Sequence, residues 1–252
     1  MAKQAGIIKL KGTIGDISFY KSKDGYLARG KGGIEKDRIE NDPAFQRTRE
    51  NGSEFGRAGS AGRIVRTAFK MLLLNASDNR VTSRLTREMV KVIQADTTNV
   101  RGERNVLDGD LKLLEDFEFN INAALGATLY ADYTGQVNRE TGEATVSVQA
   151  FVPQNKVVAP QGATHFSLIS AGAEINFEEE SFNLATAQSD KVEIGPENME
   201  ALTLTNALTA GSALPILLLF GIEFYQEVNG TFYPLRNGSY NALTLIAVNL
   251  PE

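Results

Sequence analysis

Apolar positions repeat in two different ways along the chain, and the change falls near residue 115. Residues 6–33 read as β-structure punctuated by glycine. In ISFYKSKDGYLARG, two short apolar or aromatic stretches flank Asp24-Gly25, a pair suited to the positive φ of a tight hairpin turn. Asn41-Asp42-Pro43 then offers an N-cap followed by proline at the first helical position. A helix is predicted from about Pro43, running through a glycine-rich stretch toward Asn75. A second helix is predicted from Ser77 or Asn79 to Gln94. There Val81, Leu85, Met89, Val92 and Ile93 recur at spacings of three and four and mark a buried face, opposite Arg80, Arg84, Arg87 and Lys91.

From Phe117 onward the pattern shortens to runs rich in Val, Thr, Phe, Tyr and Ile, broken by turn signals. FEFNIN, ATLYADYTGQV, ATVSVQAFV, HFSLISAGAEINF, KVEIG, ALTLTNAL, PILLLFGIEFYQEV, TFYPL and NALTLIAVNL are the strand candidates, with Thr141-Gly142 and Asn229-Gly230 as hairpin turns. Many short strands with few helical periods predict an antiparallel β-sandwich of immunoglobulin-like arrangement. The expected class is therefore α+β, with an N-terminal hairpin and two helices in residues 1–115 and a sandwich in 116–252.

The stretch NGSEFGRAGSAGRIVRTAF, residues 51–69, resists a simple reading. It has helical spacings yet holds Gly52, Gly56, Gly59 and Gly62. At about 100° per residue all four glycines fall within about a third of a helix circumference. Glycine in place of alanine costs about 1 kcal/mol per position inside a helix, so the stripe needs an offset. Close approach of another backbone would supply it, which makes these glycines and Phe55 candidate packing or assembly residues. The alternative is that they break the helix into two pieces. A phosphate loop does not fit: five residues rather than four separate Gly56 from Gly62, and Arg63-Ile64 stands where Lys-Ser/Thr is required. Arg47, Arg49, Arg57, Arg63 and Arg66 surround the stretch as candidate basic contacts, for a phosphate chain or for carboxylates.

Composition narrows the chemistry. The 252 residues include no cysteine and one histidine, His165, which removes disulfides, thiol nucleophiles and two-histidine metal motifs within one subunit. Glu178 to Glu180 and Asp108-Gly109-Asp110 read as solvated turns, and His165 as a packed sheet residue. A carboxylate-lined pocket around Asp132 or Glu174 is the weakest of the functional alternatives. No catalytic, cofactor or metal site is expected. The longest apolar run, Ala213 to Phe220, is short of the roughly 20 residues that span a bilayer. The amino terminus lacks the apolar stretch of a signal peptide, so a cytoplasmic address is the default, with export or virion-like assembly by another route left open.

The net charge of −5 conceals a split: residues 1–104 hold 21 Lys+Arg against 12 Asp+Glu, and the remainder 5 against 19. Such asymmetry bears on association rather than on fold. The segments GIIKLKGTIGDISFYKSKDGYLARGKGG, NDPAFQRTRENGSEFGRAG and GIEFYQEVNGTFYPLRNGSYNAL resemble a family of uncharacterised Bacteroidota proteins, over the whole chain. That resemblance implies a bacterial origin and a β-rich C-terminal half, and transfers no functional residue. The expectation is a non-enzymatic structural protein whose partners are copies of itself, joined head to tail in a filament, tube or shell. The alternative is a nucleic-acid-binding accessory protein using the basic half.

Overall fold

The computed structural model describes residues 2–30, 34, 36–235 and 239–251. The chain forms two compact units, Met1–Glu50 and Asn51–Glu252, rather than dividing at 115/116. The reason lies in the second helix and the last part of the first, whose apolar faces share one core with the sheet of the C-terminal half.

The first unit is a four-stranded antiparallel sheet of β1 (Ala2–Lys3), β2 (Gly12–Ile14), β3 (Ile17–Ser22) and β4 (Gly25–Gly30), in the order β1-β4-β3-β2. The β3–β4 hairpin forms as expected, one residue earlier than the Asp24-Gly25 pair suggests. Ser22 pairs with Gly25, so Lys23 and Asp24 make the turn and Gly25, at φ +106°, opens β4. A short helix α1 (Lys36–Asn41) follows. Asp42 then caps a turn at Pro43–Phe45, its side chain accepting from the Ala44 N–H at 2.9 Å, and helix α2 (Gln46–Ala68) begins. The glycines do not break α2, which is continuous for 23 residues.

In the second unit, α2 is followed by a single turn α3 (Lys70–Leu73) and by α4 (Val81–Gln94), whose buried residues are the five expected from its periodicity. β5 (Phe117–Glu118) is all that FEFNIN contributes as strand. Then come β6 (Tyr133–Asn138), β7 (Glu143–Val148), β8 (His165–Asn176), β9 (Ser181–Gln188), β10 (Val192–Glu193), β11 (Leu202–Ala207), β12 (Ile216–Val228), β13 (Thr231–Pro234) and β14 (Ala242–Asn249).

Seven of these make an antiparallel sandwich. One sheet is ordered β11-β7-β6. The other has β9-β8-β12-β14 as its main run, with β10 also on β8, β13 on β12 and β5 on β14. Lettered A to G in chain order, the seven long strands stand as A-B-E against D-C-F-G. This is an immunoglobulin-like arrangement whose fourth strand lies beside C, where variable-type domains place their extra strand.

The larger sheet is covered on both faces. Phe166, Leu168, Leu218, Phe220, Ile222 and Phe224 pack against Ala144, Val146, Val148 and Leu204 of the smaller sheet. Ala171, Ala173, Ile175, Leu217, Leu219, Leu243 and Leu245 pack against Ala58, Ala61, Val65, Leu85, Met89 and Val92 of α2 and α4. Two-sided burial explains why PILLLFGIEF is a continuous apolar run rather than an alternating one. Strand approach is closest at Gly221, where a Cβ would lie 2.3 Å from the Ala242 carbonyl oxygen. Phe220→Ala is expected to lower the unfolding free energy by about 3–5 kcal/mol in denaturant titration. Gly221→Ala should also destabilise, because the obstructing atom is backbone.

Candidate assembly surface

The N-terminal sheet differs from the sandwich in having no core. None of the described residues between 2 and 50 is buried, and both apolar cores lie wholly within Asn51–Glu252. Its strands are nonetheless two-faced. Residues directly opposed in an antiparallel ladder share a face. The pairs Ile14↔Ile17, Phe19↔Ala28, Lys21↔Tyr26 and Ala2↔Ala28 therefore place Ala2, Ile14, Ile17, Phe19, Tyr26 and Ala28 together, with Lys21 at one end over the Tyr26 ring. Lys3, Thr13, Ser18, Tyr20, Leu27 and Arg29 occupy the other face, where Arg29 lies over the Tyr20 ring at 5.6 Å and Thr13 meets Ser18 at 3.2 Å. On the apolar face Ile14 and Ile17 are 63% and 46% exposed. The segment joining β1 to β2 adds Ile7, fully exposed, and Ile8, 81% exposed. It is held by the Gln4 side chain, whose amide oxygen accepts from the Leu10 N–H at 2.8 Å while its nitrogen donates to the Leu10 carbonyl at 3.2 Å.

Helix α2 carries the glycine stripe on its surface. A Cβ at Gly52, Gly56 or Gly59 would have nothing within 4 Å, and Phe55 beside them is 62% exposed. Only Gly62 meets a neighbour within the chain: its Cβ position is 3.7 Å from Leu85 and from Thr86 on α4. A Cβ there would make only ordinary contact, so the close backbone approach expected of the stripe is not seen at any of the four glycines among the described residues.

The arginines do not converge. Arg47 pairs with Glu50 at 2.8 Å, and Arg49 donates to the Ile39 and Asp42 carbonyls. Arg57 donates to the Arg104 and Gly102 carbonyls, and Arg63 holds both carboxylate oxygens of Glu180 at 2.6 and 2.7 Å. Arg66 has its Nε buried without a hydrogen-bond partner among the described residues. Each of the first four is spent on a local acceptor, as suits the guanidinium fork.

The carboxylates also serve structure. Asp96 accepts from the N–H groups of Thr98, Asn99 and Asn105 and from the Asn99 amide, gathering the loop after α4. Burial opposes its charge, but these four donors outweigh it and hold its pKa at about 2. Asp78, before α4, is likewise depressed: burial pushes it up, and the Ile121 and Arg80 N–H groups together with Arg84 pull it further down. Glu174 is buried and bound by Asn183 and by the hydroxyl and N–H of Thr209, so it lines no open pocket. Asp108 accepts from the side chains of Asn99 and Asn105, and Asp110 caps the turn at Leu111–Leu114.

His165 stands half-buried in β8, its Nδ1 2.9 Å from Thr164 Oγ1 and its ring edge-on to Phe232. Ser167 is fully buried under Tyr225, whose hydroxyl donates to Glu223 at 2.9 Å. A cleft of about 390 Å³ lies between α2 and the 105–108 loop, but Arg57 and Asp108 on its wall are already bonded as described. Among the described residues no cluster of three or more acidic or histidine side chains is placed to hold a metal, and no helix is long and apolar enough to cross a membrane.

No family model and no curated protein matches the chain. Among solved structures, a chain from a study of pH-induced modulation of Streptococcus parasanguinis adhesion by Fap1 fimbriae is similar at 14% identity. The likeness covers 48% of this chain and 82% of that one with a TM-score of 0.24, too low to bear on fold or role.

Two outcomes are expected. Gly59→Ala should raise monomer stability by about 1 kcal/mol in thermal or chemical unfolding, since helix propensity improves and no atom is obstructed. Asp78 and Asp96 have depressed pKa values in the folded state. Their contribution is full above the unfolded carboxylate pKa of about 4 and fades as pH falls toward 2. Asp96→Asn should therefore flatten the loss of stability on acidification, measured by denaturant titration at successive pH values.

Proposed function

We propose that this chain is a non-enzymatic structural subunit that assembles head to tail with copies of itself into a filament, tube or shell. The observation that carries this reading is the uncovered apolar face of the N-terminal sheet. A few strands become stable when their hydrophobic face packs on another layer, and domains are built from at least two such layers. A second copy is the favoured cover on grounds of charge. Residues 1–50 hold 11 Lys+Arg against 7 Asp+Glu, whereas residues 51–252 hold 15 against 24. A basic sheet meeting the acidic unit of the next copy is a heterologous contact, and such contacts propagate unless the rotation closes a ring.

The engagement of Arg47, Arg49, Arg57 and Arg63 with local acceptors leaves the nucleic-acid reading with less support than the charge count alone gives it. The bonded state of the buried carboxylates, and of Ser167, favours a scaffold over a reaction centre.

Electron microscopy and light scattering of the purified chain should show large assemblies that weaken as salt rises, since exposed charges are screened within about 10 Å at 0.1 M. Deletion of residues 1–40 should leave soluble monomers. A monomer of the intact chain at every salt concentration would contradict the reading, and retention on a polyanion column without self-association would favour nucleic acid instead.

A further inference from the structure

We propose that assembly proceeds by strand addition: the Gly6–Lys11 segment of one copy pairs with the open edge of β9, Ser181–Gln188, on the next. This inference rests on the self-assembly reading above and names its contact.

The acceptor is defined by hydrogen-bond parity. The Ser189 N–H donates to the Leu168 carbonyl, and Ile175 donates across the other side of β8 to Pro215. Even residues of β8 therefore bond to β9 and odd ones to β12. In the β8–β9 register, Asn183, Ala185 and Ala187 face β8 with their backbone groups, and Phe182, Leu184, Thr186 and Gln188 turn theirs outward. Among the described residues β9 pairs with β8 alone. Edge strands are ordinarily guarded by charges, proline or bulges. SFNLATAQ has no charge and no proline, and its register with β8 runs unbroken over eight residues. It is also longer than the six-residue edges β6 and β11 of the opposing sheet.

The donor has complementary properties. GIIKLK, residues 6–11, contains no proline, exposes Ile7 and Ile8, and has no strand partner among the described residues. Its tie at Leu10 is the Gln4 amide, which a ladder of backbone bonds would replace. Lys9 and Lys11 are its only charges, and β9 begins directly after Glu178, Glu179 and Glu180. Laid antiparallel with Lys11 beside Phe182, the donor sets Lys11 at the end of β9 nearest that acidic turn. Main-chain bonds would supply affinity and the charge match would set direction, as in other strand-addition complexes.

Thr186→Pro removes one outward N–H and leaves the bonds to β8 in place, so the variant should fold, checked by circular dichroism, yet remain monomeric. Thr186→Lys, which guards the edge without touching the backbone, should raise the concentration needed for assembly at least tenfold. Because the chain has no cysteine, disulfide trapping reads the contact directly. Ile8→Cys protein mixed with protein carrying a single cysteine at Ala185, which this register sets opposite Ile8, should yield disulfide dimers. Cysteine at Thr203, on the β11 edge, should not. Assembly unchanged in both Thr186 variants, or trapping no greater than at Thr203, overturns the inference while the self-assembly reading stands. A wild-type chain that never assembles overturns both.

Discussion

An apolar sheet face has to be covered, and this one constraint organises the molecule. The sheet built on β8, β12 and β14 satisfies it twice, with the smaller sheet on one side and α2 and α4 on the other. Each Leu or Phe removed from water there contributes about 1.5–3 kcal/mol, which lets a chain with no cysteine hold its C-terminal unit together without a disulfide. The N-terminal sheet presents the same kind of face, with Ile14 and Ile17 exposed beside a half-buried Phe19, and no described residue between 2 and 50 is buried. Placing a second copy on that face lets one physical rule account for both halves of the chain.

The polar chemistry of the second unit fits a scaffold. Buried carboxylates are costly unless hydrogen-bonded, and Asp78, Asp96, Glu174 and Glu223 are each met by backbone or side-chain donors. Arg139 does the same for the carbonyls of Leu214 and Asn249, joining the start of β12 to the end of β14. These contacts fix loops to the sandwich. The surface also carries apolar and backbone groups without cover among the described residues: Ile7 and Ile8, Phe55 among the exposed glycines of α2, and the outward groups of β9.

Much of the fold was legible in the sequence because its signals were periodic. The buried stripe of α4 and the turns at Thr141-Gly142 and Asn229-Gly230 follow from local pattern, as does the two-sided burial once PILLLFGIEF is read as central strand. β9 escaped notice, because SFNLATAQ has few β-branched residues and its strand character comes from pairing with β8. The unit boundary was also hidden. Nothing local to residues 51–94 reveals that the helices share a core with strands more than 70 positions later. For the candidate surface, the glycine stripe was visible as a face of α2, but among the described residues only Gly62 has a neighbour, at ordinary contact distance. The apolar face of the N-terminal sheet was encoded in the alternation of ISFYKS and GYLARG, and became evident only when cross-strand register put Ile17, Phe19, Tyr26 and Ala28 side by side.

The central claim is that residues 8–28 are covered by another copy of the chain. Amide hydrogen exchange, followed at low and at high protein concentration, tests this most directly. The account requires the amides of Ile8 to Ala28 and of Phe182 to Gln188 to gain protection together as concentration rises, while those of β8 and β12 stay protected throughout. Exchange in both segments that is independent of concentration would contradict it.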